Sequence, residues 1–110
     1  MGQYKKEKLE SLYQEIVSKF FLKEASIPGV LFAITKVEIS ENLNRLTVYI
    51  SIWPDDKEKN MLESFEKLKG SLRAHVGDKI NPKFIPEIIF KLDDSEKKRL
   101  EIEKIFKKIE

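Results

Sequence analysis

The sequence contains no cysteine and only one histidine among its 110 residues. The absence of cysteine excludes disulfide bonds, thiolate nucleophiles and cysteine-based zinc sites, and it is typical of proteins in a reducing compartment. His75 has no partner at metal-ligand spacing, and a lone histidine on a helix is more often a surface or packing residue than a catalytic base. Neither glycine-rich nucleotide-binding motif is present. We therefore expect a protein that is not an enzyme and that uses no cofactor and no metal.

The chain also lacks a long apolar run and a strong excess of either charge. A membrane-spanning helix needs about 20 consecutive apolar residues, and the segment from Met1 to Lys8 is polar and charged, unlike a signal peptide. We therefore expect a cytoplasmic protein without a membrane anchor. Lys and Arg outnumber Asp and Glu by only 21 to 19, so any nucleic-acid site has to arise from local clustering of cations.

What the sequence does contain is enough apolar material for one core, since 41% of its residues are hydrophobic. A chain of this length fits one domain, because a second core would have too few residues to bury it. Hydrophobic periodicity predicts the order α, β, β, kinked α, β, α. The predicted elements are a helix over Gln3–Glu24, strands over Val30–Ser40 and Arg45–Trp53, a helix from Asp55 that ends between Gly77 and Pro82, a strand over Ile85–Leu92, and a helix after Ser95 with the apolar stripe Ile102, Ile105, Phe106 and Ile109.

Local signals refine these elements. Pro28 and Gly29 are expected to end the first helical region in a turn. Asp55, with Glu58 three residues later, resembles a capping box and predicts the start of the middle helix. Gly70 interrupts the apolar stripe of that helix and is about 1 kcal/mol less favourable there than Ala, which predicts a bend. A right-handed crossover through this bent helix requires the third strand to be parallel to the second.

Several segments carry a resemblance to a known family. They are Pro28-Gly29-Val30, Ile34 to Ser40, Leu46 to Ser51, Gly70 to Arg73, Ile85 to Phe90, and Asp93 or Asp94 with Ser95. With them the chain resembles the ribosome-binding factor A family over roughly Lys8 to Ile109. The resemblance implies an α+β fold, a type II KH-like domain (α-β-β-α-kink-α-β) with an added C-terminal helix. In this family a kink of the form Ala-x-Gly replaces the usual GxxG loop, and here that kink is Leu68-Lys69-Gly70.

The resemblance also implies a role. Members of this family bind the immature small ribosomal subunit near the decoding-site region of its ribosomal RNA, assist its late maturation and rRNA processing, and are linked to growth in the cold. For this chain, the resemblance implies small-subunit ribosomal RNA and the immature small ribosomal subunit as partners. An assembly GTPase is a further partner that it implies. The free protein is expected to be a monomer.

The candidate RNA-binding residues surround the expected kink. They are Lys67, Lys69, Gly70, Arg73, Lys79 and Lys83. Lys69 and Arg73 are one helical turn apart and are expected to share a face. Clustered cations attract phosphates whatever the base sequence. Without the family likeness, a solvated helix face would explain the same residues.

The sheet face opposite the core leaves two interpretations open. Tyr49, Trp53 and Ile89 are expected on that face and could stack unpaired bases. They could instead receive the C-terminal amphipathic helix, which we favour because two apolar surfaces left in water are unusual. We therefore predict one domain, with a KH-like RNA-binding part over residues 1–94 and a packed C-terminal helix over residues 95–110.

A function of a different class fits the same pattern. The chain could be a small α+β protein-protein interaction module whose exposed face binds a partner helix and never touches RNA. Salt-dependent binding to small-subunit RNA distinguishes the two functions, because a protein adaptor would show none.

Overall fold

The computed structural model describes residues 2–93, with side chains from residue 5 onward. Within this part of the chain, the helices and strands follow each other in the predicted order. They are α1 (Gly2–Glu24), β1 (Leu31–Ile39), β2 (Arg45–Trp53), α2 (Glu58–Lys67), α3 (Lys69–Ile80) and β3 (Glu87–Leu92), with a 3-10 turn over Asp55–Lys57 before α2. The predicted C-terminal helix over residues 95–110 lies outside the described residues.

The three strands form one sheet in the order β1-β2-β3, with β2 in the centre. β1 pairs antiparallel with β2, and β3 pairs parallel with β2. Val48 in the middle of β2 therefore lies between Val37 of β1 and Phe90 of β3. The parallel pair confirms the direction that a right-handed helical crossover requires. This α+β arrangement is the predicted KH-like fold.

The helices cover one face of the sheet and bury a single apolar core against it. Its side chains include Tyr13, Val17 and Phe21 of α1, Leu46, Val48, Ile50 and Ile52 of β2, Met61 and Phe65 of α2, Leu72 and Val76 of α3, and Ile88 of β3. The rings of Phe21 and Phe65 stack with their centroids 4.0 Å apart, which joins α1 to α2. The alternation predicted for β2 is confirmed, since every second residue from Leu46 to Ile52 is buried. Each such side chain contributes roughly 1.5–3 kcal/mol on leaving water.

The connection from α1 to β1 is a turn that requires glycine. The Val30 N–H donates to the Ile27 carbonyl at 3.1 Å, and Gly29 has a φ of +82°. Pro28 followed by a glycine with positive φ is the signature of a type II turn. The turn predicted at Pro28 and Gly29 is therefore confirmed.

β1 contains an irregularity that its sequence does not show. The pairing with β2 shifts between Ile34 and Lys36, so Thr35 is an extra residue in the strand. Because of the shift, Ile34 before it and Val37 after it both face the core. The Thr35 hydroxyl donates to the Asp93 carboxylate at 2.6 Å. This bond ties the residue that follows β3 to β1, across the central strand.

The break between the two middle helices lies at Leu68, the first residue of the predicted Leu68-Lys69-Gly70 kink and two residues before the glycine. Leu68 has φ −89° and ψ −2°, and its N–H is shared between the carbonyl oxygens of Ser64 (3.2 Å) and Phe65 (3.1 Å). The Leu68 side chain packs against the core. Gly70 is the second residue of α3, is exposed and has no positive φ. The bend is therefore fixed by the packing of a leucine rather than by the freedom of a glycine.

Two other boundaries differ from the prediction. Asp55 does not occupy the N-cap position, which belongs to Pro54 for the 3-10 turn, and Pro54 makes no side-chain capping bond. The third strand begins at Glu87 instead of Ile85, because Pro86 has no N–H to contribute to the pairing with β2.

Candidate RNA-binding surface

The predicted RNA-binding residues lie along α3 and its flanks rather than at one point. Lys67 ends α2, Lys69 and Gly70 open α3, Arg73 lies in its middle, Lys79 lies in its last turn, and Lys83 lies in the loop over residues 81–86 that leads to β3. At 1.5 Å per residue, Lys69 and Lys79 are about 15 Å apart along the helix. The structure therefore divides the set into a break end of α3 (Lys67, Lys69 and Gly70) and a loop end (Lys79 and Lys83), with Arg73 between them.

At the break end, the cations lie among carboxylates and ring carbons. The Lys69 ammonium pairs with Glu66 at 2.8 Å and lies 5.4 Å from the centre of the Phe90 ring, so that only 31% of its side chain is exposed. Lys67 borders a groove that also carries Glu63 and Glu66. Nearby carboxylates oppose the approach of a phosphate. The local charge at the break end is therefore not strongly positive.

Arg73 connects α3 to the loop before β3. Its Nε and Nη2 atoms donate to the carbonyl oxygens of Pro86 and Ile85, each at 3.2 Å. The planar guanidinium offers several donors in fixed directions, which suits such a double contact. Arg73 and Lys69 do share a side of α3, but this side is turned toward β3. The guanidinium fixes the course of the loop through these two bonds.

The same loop approaches α3 closely. Asn81 ends the helix in the left-handed region, with φ +52°, and its N–H donates to the Gly77 carbonyl at 3.0 Å. A Cβ atom on Gly77 would lie 3.0 Å from Cδ1 of Ile85. Gly77 therefore allows Ile85 of the loop to pack against the helix. This packing adds to the two hydrogen bonds from Arg73.

The loop end presents its cations more openly. Lys79 and Lys83 are exposed, and neither forms an ion pair within residues 2–93. Lys83 Nζ lies 5.7 Å from the centre of the Phe84 ring, and 73% of Phe84 is exposed. Exposed aromatic rings beside cations are typical of surfaces that bind RNA bases and phosphates. Sequence reasoning did not select Phe84, whose one signal is an aromatic residue next to a lysine between Pro82 and Pro86.

His75 is a packing residue, as expected. Its ring lies 5.4 Å from that of Phe20, tilted by 39°. In the part of the chain that the structure describes, no group of three His, Cys, Asp or Glu side chains could hold a metal ion. No helix between residues 2 and 93 is both long and apolar enough to cross a bilayer.

The outer face of the sheet, opposite the helices, does not form one stacking platform. Trp53 is 55% exposed beside Leu31, its partner in the β1–β2 register. Ile89 instead pairs with Thr47, about 20 Å away along β2. The aromatic and aliphatic side chains predicted there are therefore separated into two patches.

Tyr49, between these two patches, is covered by a charged pair. The Lys36 ammonium lies 5.0 Å from the centre of the Tyr49 ring and pairs with Glu38 at 2.8 Å. The Tyr49 hydroxyl donates to Glu38 at 3.4 Å. The hydrogen bond from Lys36 holds the pKa of the Glu38 carboxyl below its usual value, and the same bond raises the pKa of Lys36. A base would have to displace Lys36 in order to stack on Tyr49.

The sequence is similar to known proteins over nearly its whole length. The family model of ribosome-binding factor A matches residues 5–106. The ribosome-binding factor A of Halothermothrix orenii is 32% identical over 111 residues, which cover 99% of this chain and 91% of that protein.

Solved structures show the same fold. The crystal structure of ribosome-binding factor A from Thermus thermophilus matches with a TM-score of 0.70 and 18% identity, over 79% of this chain and 94% of that one. A homology model of the Thermus thermophilus factor, fitted into a cryo-electron-microscopy map of a 30S complex, matches with a TM-score of 0.68 and 17% identity, over 79% of this chain and 93% of that one. Because the family model spans most of the sequence and a relative above 30% identity covers nearly all of it, the chain belongs to the ribosome-binding factor A family.

Proposed function

We propose that this protein is a non-enzymatic assembly factor that binds small-subunit ribosomal RNA in immature small ribosomal subunits and assists their late maturation and rRNA processing. Membership of the ribosome-binding factor A family is the observation that carries this proposal. The Thermus thermophilus factor, which has the same fold, has been placed in a 30S complex. The protein would act in the cytoplasm as a monomer and without a cofactor.

The arrangement of cations supports contacts to the RNA backbone rather than sequence-specific contacts to base pairs. The net charge is only +2, so binding depends on where the cations lie. Lys79 and Lys83 lie exposed in one short segment, where they can replace the counterions of adjacent phosphates. Arg73 holds the loop that carries Lys83 through its bonds to Ile85 and Pro86. The rigid helix and loop would then fit the shape of a folded RNA.

Co-sedimentation tests the proposal. The tagged protein is expected to sediment with immature small subunits from a cell lysate and not with mature ones. Its affinity for purified small-subunit RNA is expected to fall steeply with salt. Lys57→Ala with Lys59→Ala is the matched control for replacement of Lys79 and Lys83, because it removes two exposed charges at the start of α2. Binding that is unaffected by salt, or absent, would contradict the proposal.

Two finer parts of this proposal rest on the family alone. An assembly GTPase is expected to act on the same subunit, and removal of the protein is expected to impair growth most strongly in the cold. Growth curves of a deletion strain at low and optimal temperature test the second part, and a strain that grows equally well at both would contradict it.

The second candidate function is protein-protein interaction without RNA. Leu31 and Trp53, paired on the outer face of the sheet, are 67% and 55% exposed. Neighbouring exposed apolar side chains of this size mark interaction surfaces. Loss of a bound protein after Trp53→Ala, with RNA affinity unchanged, would support this candidate.

A related proposal concerns the segment after the predicted KH-like part, which ends at residue 94. We propose that residues 95–110 form a helix of the same domain and cover the outer face of the sheet. The bond from Thr35 to Asp93 holds the chain across the central strand where it leaves β3, and the opposite face is already covered by helices. Burial of four apolar side chains contributes roughly 1.5–3 kcal/mol each before the ordering entropy is subtracted. Truncation after Ser95 should therefore lower the melting temperature and change the fluorescence of Trp53. Equal melting and unchanged fluorescence would contradict this proposal.

A further inference from the structure

A pocket of about 420 Å³ lies beside the loop end of α3, where three separate segments of the chain meet. α1, the loop between β1 and β2, and the loop between α3 and β3 line it. The side chains that matter here are Tyr13, Asn42, Leu43, Pro82, Lys83 and Phe84. The pocket therefore adjoins the loop end of α3 and shares Lys83 with it.

Tyr13, which lines this pocket, has an unpartnered hydroxyl. The residue is only 2% exposed, burial raises the pKa of its phenol, and its hydroxyl makes no hydrogen bond within the described part of the chain. A buried tyrosine hydroxyl usually finds a partner. No fully buried side-chain nitrogen or oxygen among the described residues lacks one, so the Tyr13 hydroxyl retains a small contact with solvent, and Tyr13 lines the pocket. It is therefore a donor and acceptor that is available to a ligand.

The walls of the pocket are apolar and partly strained. Leu43, at the tip of the hairpin loop, has a φ of +62° and is 48% exposed. A leucine in the left-handed region is uncommon, and such strain is often found at binding sites. Phe84, on the other side, is 73% exposed. These two side chains give the pocket one aliphatic and one aromatic wall, both partly exposed.

The polar and apolar groups that line the pocket determine which kind of ligand fits it. An apolar protein side chain would fill the space but leave the buried Tyr13 hydroxyl without a hydrogen-bond partner, which is unfavourable once water is excluded. A phosphate alone would use Lys83 but not the apolar walls. A nucleobase has flat faces for stacking and a polar edge for hydrogen bonds. It also comes with a phosphate for the lysine.

We propose that this pocket binds one unpaired nucleobase of RNA. The base stacks on Phe84, and Lys83 moves from the ring to the adjoining phosphate. The polar edge of the base bonds to the Tyr13 hydroxyl and to the side-chain N–H groups of Asn42, whose Oδ1 already accepts from Ser40. This inference rests on the proposed RNA-binding function, and it adds to that function a site that takes a base displaced from its stack. Stacking of one base on an aromatic side chain is worth about tenfold in affinity.

The test uses the full chain, small-subunit RNA, a ten-nucleotide single-stranded RNA of mixed sequence and the abasic form of that RNA. Phe84→Ala should lower the affinity for the short RNA about tenfold, with the affinity for the abasic RNA and the salt dependence unchanged. Leu22→Ala is the control, since it removes an exposed apolar side chain of α1 outside the pocket. Tyr13→Phe should change the preference among the four bases without lowering the melting temperature, because it removes only an unpartnered hydroxyl.

The outcomes separate the pocket from the proposed function. Equal affinities for the normal and abasic RNA, or equal losses from Phe84→Ala and Leu22→Ala, would overturn the nucleobase pocket even if small-subunit RNA binds with its usual salt dependence. Loss of a ribosomal protein from the Phe84→Ala variant, in the absence of RNA, would also overturn it. Failure of the unmodified protein to bind small-subunit RNA at all would instead overturn the proposed function.

Discussion

Both ends of α3 have lysine side chains, but the groups around these lysines differ. At the break end, Lys69 pairs with Glu66 and lies over Phe90. At the loop end, Lys79 and Lys83 are exposed and form no ion pair within residues 2–93. The comparison shows that the density of lysines along a helix does not reveal which of them are free to meet a phosphate. We therefore expect RNA to bind where the ammonium groups have no partner in the folded protein.

The largest effect is expected for Arg73→Ala, at the residue between the two ends. The change removes two hydrogen bonds from a charged donor and leaves the carbonyl oxygens of Ile85 and Pro86 without them. We expect a loss of about 1 to 3 kcal/mol in the free energy of unfolding, measured by urea denaturation. RNA affinity should fall as well, because the loop end loses its support. Arg73→Lys should recover little, since an ammonium lacks the planar fork, and an unchanged unfolding midpoint for Arg73→Ala would contradict this role.

Replacement of both cations at the loop end should affect RNA binding without affecting stability. For Lys79→Ala with Lys83→Ala, we expect about a tenfold decrease in affinity, which is about 1.4 kcal/mol. The log-log slope of affinity against salt should become shallower by about 0.7–0.9 for each phosphate that the variant no longer neutralises. Titration of small-subunit RNA at several salt concentrations measures both. A slope equal to that of the unmodified protein would show that other residues bind the phosphates.

Gly70→Ala tests where the helix breaks. Gly70 is exposed within α3, and a Cβ atom there would meet nothing within 4 Å. Alanine should therefore stabilise the protein by about 0.5 kcal/mol. Gly29→Ala is the contrasting variant and should destabilise, because Gly29 has a φ of +82°. Thermal melting of both variants checks this, and destabilisation by Gly70→Ala would show that the bend needs a glycine after all.

The smallest effect is expected at the break end. Lys67→Ala with Lys69→Ala removes the same charge as the loop-end pair of substitutions, but Lys69 is already paired with Glu66 at 2.8 Å. We expect the RNA affinity to change less than about twofold, since a cation that is already paired with a carboxylate attracts a phosphate only weakly. An effect as large as that of the loop-end substitutions would remove the distinction between the two ends.

Much of the fold could be predicted because its signals are local. The alternation along Arg45–Trp53 predicted β2 with its correct ends, and Pro28 with Gly29 predicted the turn before β1. The order of elements, together with the handedness of crossovers, predicted that β3 is parallel to β2. The bend lies within the predicted kink but two residues before Gly70, because a glycine marks where a helix is weak, whereas packing of Leu68 against the core decides at which residue the chain turns. The bulge at Thr35 left no local signal, since it depends on how two strands pair.

The candidate site could be predicted only in part from the sequence. A run of cations around Gly70 is visible in the sequence, and the resemblance to the ribosome-binding factor A family gave it a role. The sequence alone thus determined the apolar periodicity, the single core, the family and the cluster of cations around Gly70. Only the tertiary structure decided which lysines are already paired, and that Tyr13, Leu43 and Phe84 meet at one pocket. The physical reason is that periodicity records whether a side chain leaves water, whereas its partners depend on which distant segments the completed core brings together.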